Sequence, residues 1–240
     1  MKNTLAFVIW ICVLLSCEIL ATWYTDGGIR AFETFISRGS VTLALAVWYY
    51  YSQDPKVTTF RGNFFFTLLI PLMIGFSRYL LPDPASIKLI AFLNFASYVL
   101  WIIQFKKLGA EFNISKFPLI YFIFIPVIFS IPFLYYFLVL FPLIQDSNVI
   151  LVFLFALFIA ITSVIVLFLP ITKDFSGRYF IIFGIWLTEF THMMQSYYHY
   201  NNEGLFIYPF ARIIQTSSFI FLLVGMTTYC KSNSRIIIQN

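Results

Sequence analysis

Residues 149–170 read VILVFLFALFIAITSVIVLFLP. No side chain in that run is charged, and Thr162 and Ser163 supply its only hydroxyls. About 20 mostly apolar residues in an α-helix cross the hydrocarbon core of a bilayer. A barrel strand needs about half that length and alternates in polarity. The stretch therefore predicts a membrane-spanning helix. Seven more runs of this kind flank it. They are Leu5 to Ala21, Phe32 to Tyr51, Asn63 to Leu81, Ser86 to Phe105, Phe117 to Leu140, Tyr179 to Tyr198 and Leu205 to Tyr229.

The connections are short and leave no room for a soluble domain. The expectation is an all-α polytopic membrane protein, a bundle of about eight transmembrane helices forming a single domain over residues 1–240. Composition agrees. The chain is 61% hydrophobic and 10% charged, with mean hydropathy +0.89, where soluble domains run near half apolar and about a quarter charged. A soluble fold of 240 residues cannot hide that much apolar surface from water. This excludes a cytosolic enzyme, a disordered segment and a secreted disulfide scaffold. Cys12, Cys17 and Cys230 follow or lie within apolar runs, lack metal-ligand spacing and read as small hydrophobes. Leu14-Leu15-Ser16-Cys17 loosely resembles a lipoprotein signal, but the apolar run continues through Ala21, so it reads as a first helix.

Net charge is +5. No basic block with interleaved polar residues accompanies it, so nucleic acid is not an expected partner. With eight spans both termini share one side. That side collects Lys2, Lys56, Arg61, Lys106, Lys107, Lys116, Lys173, Arg178, Lys231 and Arg235, against Arg30 and Lys88 opposite. The bias of basic residues toward cytoplasmic loops puts both termini in the cytoplasm, in the cell inner membrane for a bacterial chain.

Arg38, Arg78 and Arg212 fall inside spans, with Glu18, Glu33, Glu189, His192 and His199. Charges at membrane depth are costly and usually face a bundle interior or a wet cavity. Most of these lie in the outer half, where cations and carboxylates can pair. The seventh span has the sharpest pattern. At about 100° per residue Glu189, His192, Gln195, Ser196 and His199 share one polar stripe. Glu189 and His192 have the Glu-x-x-His spacing of carboxylate-bridged metal bundles, but no second such motif exists. Glu189 and His199 lie about 15 Å apart along the axis, too far to share an ion. No metal ligand and no cofactor is assigned, although a metal site at the stripe remains open. A proton-handling Glu189–His192 pair and a structural polar stripe both remain open. Nucleophile-elbow, Walker and His-Glu-x-x-His motifs are absent.

Several short strings resemble the YhhN family, eight-helix membrane proteins that include the lysoplasmalogenases. Arg38-Gly39 followed by Val41-Thr42-Leu43-Ala44-Leu45 resembles the Lys-Pro and leucine-rich opening of the family's second span. Gly184 followed by Thr188-Glu189 resembles its Gly and Ser-Asp in the seventh. Tyr208-Pro209-Phe210-Ala211-Arg212 resembles Tyr-x-x-Ala-Gln in the eighth. The chain departs from the pattern at Phe76 or Ser77, where the family has an acid, and at Ser97, where it has a His. The resemblance implies a membrane hydrolase acting on the vinyl-ether bond of a lysophospholipid. Glu189 and His192 would then be catalytic, and Arg38, Arg78 and Arg212 would hold the lipid phosphate. The alternative is a non-catalytic lipid-binding or transport protein on the same scaffold.

Overall fold

The computed structural model describes residues 4–24, 32–52, 58–82, 85–112, 119–144, 148–170, 175–201 and 207–237. Among these the chain is all-α, with eight helices and no strand. They are α1 (Thr4–Tyr24), α2 (Phe32–Ser52), α3 (Thr58–Leu80), α4 (Ala85–Lys107), α5 (Ile120–Tyr135), α6 (Val149–Ile165), α7 (Phe175–Asn201) and α8 (Ile207–Ile237). Each expected span coincides with a helix. The span limits Phe117 and Leu205, and Lys2, Arg30, Lys56, Lys116 and Lys173, lie outside the described residues.

Among the described residues five stretches are long and apolar enough to cross a membrane, as a multi-pass membrane protein requires: Leu5–Tyr24, Ala85–Lys107, Ile120–Leu143, Val149–Phe168 and Ile207–Tyr229. The apolar part of α3 is the shorter Thr67–Leu80. The polarity of α2 and α7 has a plain source: α2 carries Glu33 and Arg38, and α7 carries Arg178, Glu189 and His192. Large apolar side chains such as Phe92, Ile123, Leu138 and Ile150 point outward, where lipid is their favourable surrounding.

The chain forms two compact units, Met1–Ser97 and Tyr98–Asn240. In the first, α2 packs against both α1 and α3. Phe7 stacks on Trp48 with ring centroids 5.9 Å apart, and Phe35 stacks on Tyr79 at 5.4 Å while meeting Phe76 edge-on at 4.5 Å. Gly39 lets Leu72 approach, since a Cβ there would lie 3.0 Å from Leu72 Cδ1. Hydroxyls in this unit turn onto their own helices: Thr22 donates to the Glu18 carbonyl, Thr42 to that of Arg38 and Ser77 to that of Met73. In an apolar solvent this local bond is how a lone hydroxyl avoids going unsatisfied.

In the second unit α7 and α8 make the closest packing. Their backbones touch because glycines line the crossing. A Cβ on Gly177 would stand 2.7 Å from the backbone nitrogen of Tyr229, and one on Gly225 would stand 2.8 Å from that of Ile181. Such small-residue seams bring membrane helices together where burial of apolar surface cannot. The C-terminal end of α4 closes on Gly109 (φ 88°). The Ala110 amide donates to the Phe105 carbonyl at 2.9 Å and the Gly109 amide to that of Lys106 at 3.0 Å, the Schellman arrangement that glycine permits.

Helix α5 contains Pro126 and Pro132 and runs into a π-helical turn, Tyr136–Leu140, then a short 3₁₀ turn, Phe141–Leu143. Proline removes an amide from the helical ladder, and the wider turn follows four residues later. Adjacent tyrosines at this junction bond to different helices. Tyr135 donates to the Met193 carbonyl of α7 at 2.7 Å, and Tyr136 to the Val149 carbonyl of α6 at 3.1 Å.

Candidate functional site

The polar stripe on α7 reaches three neighbouring helices. Glu189 is 3% exposed, and its Oε2 is hydrogen-bonded to the hydroxyl of Ser163 on α6. Its other oxygen, Oε1, is buried with no hydrogen-bond partner among the described residues. One turn further, Nδ1 of His192 lies 2.6 Å from the hydroxyl of Tyr98 on α4. Next, Gln195 Nε2 donates to Oε1 of Gln215 on α8 at 3.2 Å, and Nη1 of Arg212 donates to the same oxygen. Ser196 turns back to the His192 carbonyl. The side chain of His199 lies outside the described set.

The stripe geometry follows from helical periodicity. Positions three and four apart rise along one face, and each meets whichever helix stands beside that level. Glu189 and His192 each bond to another helix, and no hydrogen bond joins the two. Ser163 itself is held, because its carbonyl receives the indole N–H of Trp186 at 3.4 Å. A second polar contact, Thr188 Oγ1 3.0 Å from Ser218 Oγ, ties α7 to α8 below the stripe. The Glu189–Ser163 and His192–Tyr98 pairs and the Arg212 cluster all belong to the second unit.

Arg38 and Arg78 belong to the first unit. Arg38 is buried, with Nε 3.3 Å from Oε1 of the fully buried Glu18. This is one of the cation–carboxylate pairs expected in the outer half. Arg78 is half-buried in the last turn of α3, where a cation faces the negative end of the helix. Glu33 is exposed in the first turn of α2, the matching position for an acid.

Three polar residues gain importance only in the structure. Tyr98 and Ser163 are partners of the stripe. Arg178, placed by chain position among the basic loop residues, is 1% exposed. Its Nε donates to the Leu169 carbonyl at 2.8 Å, and its Nη2 to the Leu167 carbonyl at 2.7 Å and to the Tyr121 hydroxyl at 2.9 Å. It thus closes the short 3₁₀ turn Val166–Phe168 that follows α6, satisfying carbonyls that a helix end leaves open.

No three His, Cys, Asp or Glu side chains gather as a metal site among the described residues. Comparison of the chain with protein-family models, with curated proteins and with solved structures returns no match.

Proposed function

We propose that this chain is a multi-pass membrane protein that acts on membrane lipid, as a lysoplasmalogenase-like hydrolase of the vinyl-ether bond, with Glu189 as proton donor. Both termini lie in the cytoplasm on this reading, as the basic loops direct. The observation that carries it is the Glu189 carboxyl. One oxygen is fixed by Ser163, and the other is buried without a hydrogen-bond partner among the described residues. An acid held by one oxygen, with the other committed to no hydrogen bond among the described residues, keeps a position from which a proton can be given up.

Vinyl-ether hydrolysis begins with protonation of the outer vinyl carbon, which leaves an oxocarbenium ion. Water adds to that ion and gives up a proton to the carboxylate. The hemiacetal then collapses to an aldehyde and the glycerol hydroxyl. His192, one turn along the same face, is the second polar group of this centre. Of the three candidate arginines Arg212 is the one in the same unit as Glu189, and it is the first choice for the lipid phosphate.

A non-catalytic lipid-binding or transport role on the same scaffold is the second reading. The departures at Phe76 or Ser77 and at Ser97, where the family pattern has an acid and a His, favour it.

The test uses purified protein in detergent with a lysoplasmenyl phospholipid, following aldehyde release. The hydrolase reading expects release that falls about 10²–10⁴-fold in Glu189→Gln. Full turnover in that variant removes Glu189 from the role. No release from folded wild-type protein removes the hydrolase and leaves the lipid-binding reading, which expects lysophospholipid binding weakened by Arg212→Gln.

A further inference from the structure

We infer that Tyr98 is a positioning residue that holds His192 as the tautomer with its proton on Nε2. The imidazole then presents an N–H donor, not a basic nitrogen, to whatever lies beside it. The tautomer argument is independent of the proposed activity; its consequence for catalysis rests on the hydrolase reading.

The phenolic oxygen of Tyr98 lies 2.6 Å from Nδ1 of His192. Either group can donate across such a contact, since a hydroxyl and a neutral imidazole each carry one donor and an acceptor. Burial decides between them. Tyr98 is 2% exposed, and its hydroxyl has no other hydrogen-bond partner among the described residues. Were Nδ1 to carry the proton, the buried O–H would have no acceptor among the described residues. With the phenol donating, the hydroxyl is satisfied, Nδ1 is the acceptor and the single ring proton sits on Nε2. His192 is half-buried, and its Nε2 bonds to no described residue.

The surroundings keep this arrangement in place. The ring of Phe155 stands 5.7 Å from the Tyr98 ring and 5.7 Å from that of His192, and the Tyr98 and His192 rings meet nearly edge-to-face at 80°. Three rings from α4, α6 and α7 enclose the hydrogen bond, so neither partner turns away without losing aromatic contact. With Nδ1 occupied, His192 is not the base that takes a proton from water. That task returns to the Glu189 carboxylate, and Nε2–H is free for an oxygen acceptor on a lipid.

The chain has two histidines, which makes the test direct. Full-length protein labelled with ¹⁵N-histidine in nanodiscs gives two imidazole signal sets, and His199→Gln identifies the one from His192. The expected spectrum has an unprotonated Nδ1 and a protonated Nε2 at His192. A proton on Nδ1, or an imidazolium at neutral pH, overturns the assignment. In Tyr98→Phe, which keeps the ring contacts, His192 is expected to become a mixture of tautomers. An unchanged tautomer in that variant overturns the role of Tyr98. Should the variant not fold, the wild-type spectrum still decides. Addition of a lysophospholipid is expected to move the Nε2 signal, and no movement overturns the donor role. Aldehyde release is read separately: its absence in wild-type protein sinks the hydrolase reading while the tautomer result stands.

Discussion

Two carboxylic acids are buried among the described residues, and their surroundings differ in kind. Glu18 in α1 meets the guanidinium of Arg38 in α2 at 3.3 Å. The Glu189 carboxyl in α7 is hydrogen-bonded to the hydroxyl of Ser163, and its second oxygen has no hydrogen-bond partner among the described residues. A charge away from water is tolerated when an opposite charge and hydrogen bonds replace hydration. The first unit uses that solution and ties two helices together. The second withholds the counter-charge, as a site that exchanges a proton would. Burial alone therefore does not mark a functional acid; the partner does.

The comparison breaks most visibly at Arg38. Arg38→Met leaves Glu18 buried without its ion pair and is expected to cost about 3–5 kcal/mol. Unfolding in detergent measures this, and the double variant Glu18→Gln/Arg38→Met is expected to regain most of the loss. A single variant as stable as wild type would mean that the pair does not hold α1 to α2. A smaller effect is expected at Ser163→Ala, which removes the one hydrogen bond to the Glu189 carboxyl among the described residues and should cost about 1–3 kcal/mol. The smallest belongs to Glu189→Gln. An amide keeps the shape and the Ser163 bond, so stability should change by less than about 1 kcal/mol. A collapse of folding there would make Glu189 a structural residue and remove the contrast with Glu18.

Much of the fold was legible because lipid imposes a length. Eight apolar runs give eight helices, and Val149–Phe168, free of charge, is among the plainest spans. The site was legible only along one helix. The stripe through Glu189, His192 and Gln195 follows from periodicity, whereas Ser163, Tyr98 and Gln215 stand on other helices at levels set by packing. Nothing local distinguishes Tyr98 from the other fourteen tyrosines. Arg178 escaped for a related reason: a cation just before an apolar run reads as a loop charge until the carbonyls of Leu167 and Leu169 are seen beside it.

The tyrosine junction in α5 restricts movement in a particular way. Tyr135 and Tyr136 are about 100° apart around the helix, and each is fastened to a different neighbour. Turning α5 about its own axis would pull on both fastenings at once, so it is keyed against rotation. Swinging about that junction strains neither bond as directly. Its outward face, covered with Ile123, Phe124, Val127 and Leu134, therefore keeps a fixed bearing toward the surrounding lipid.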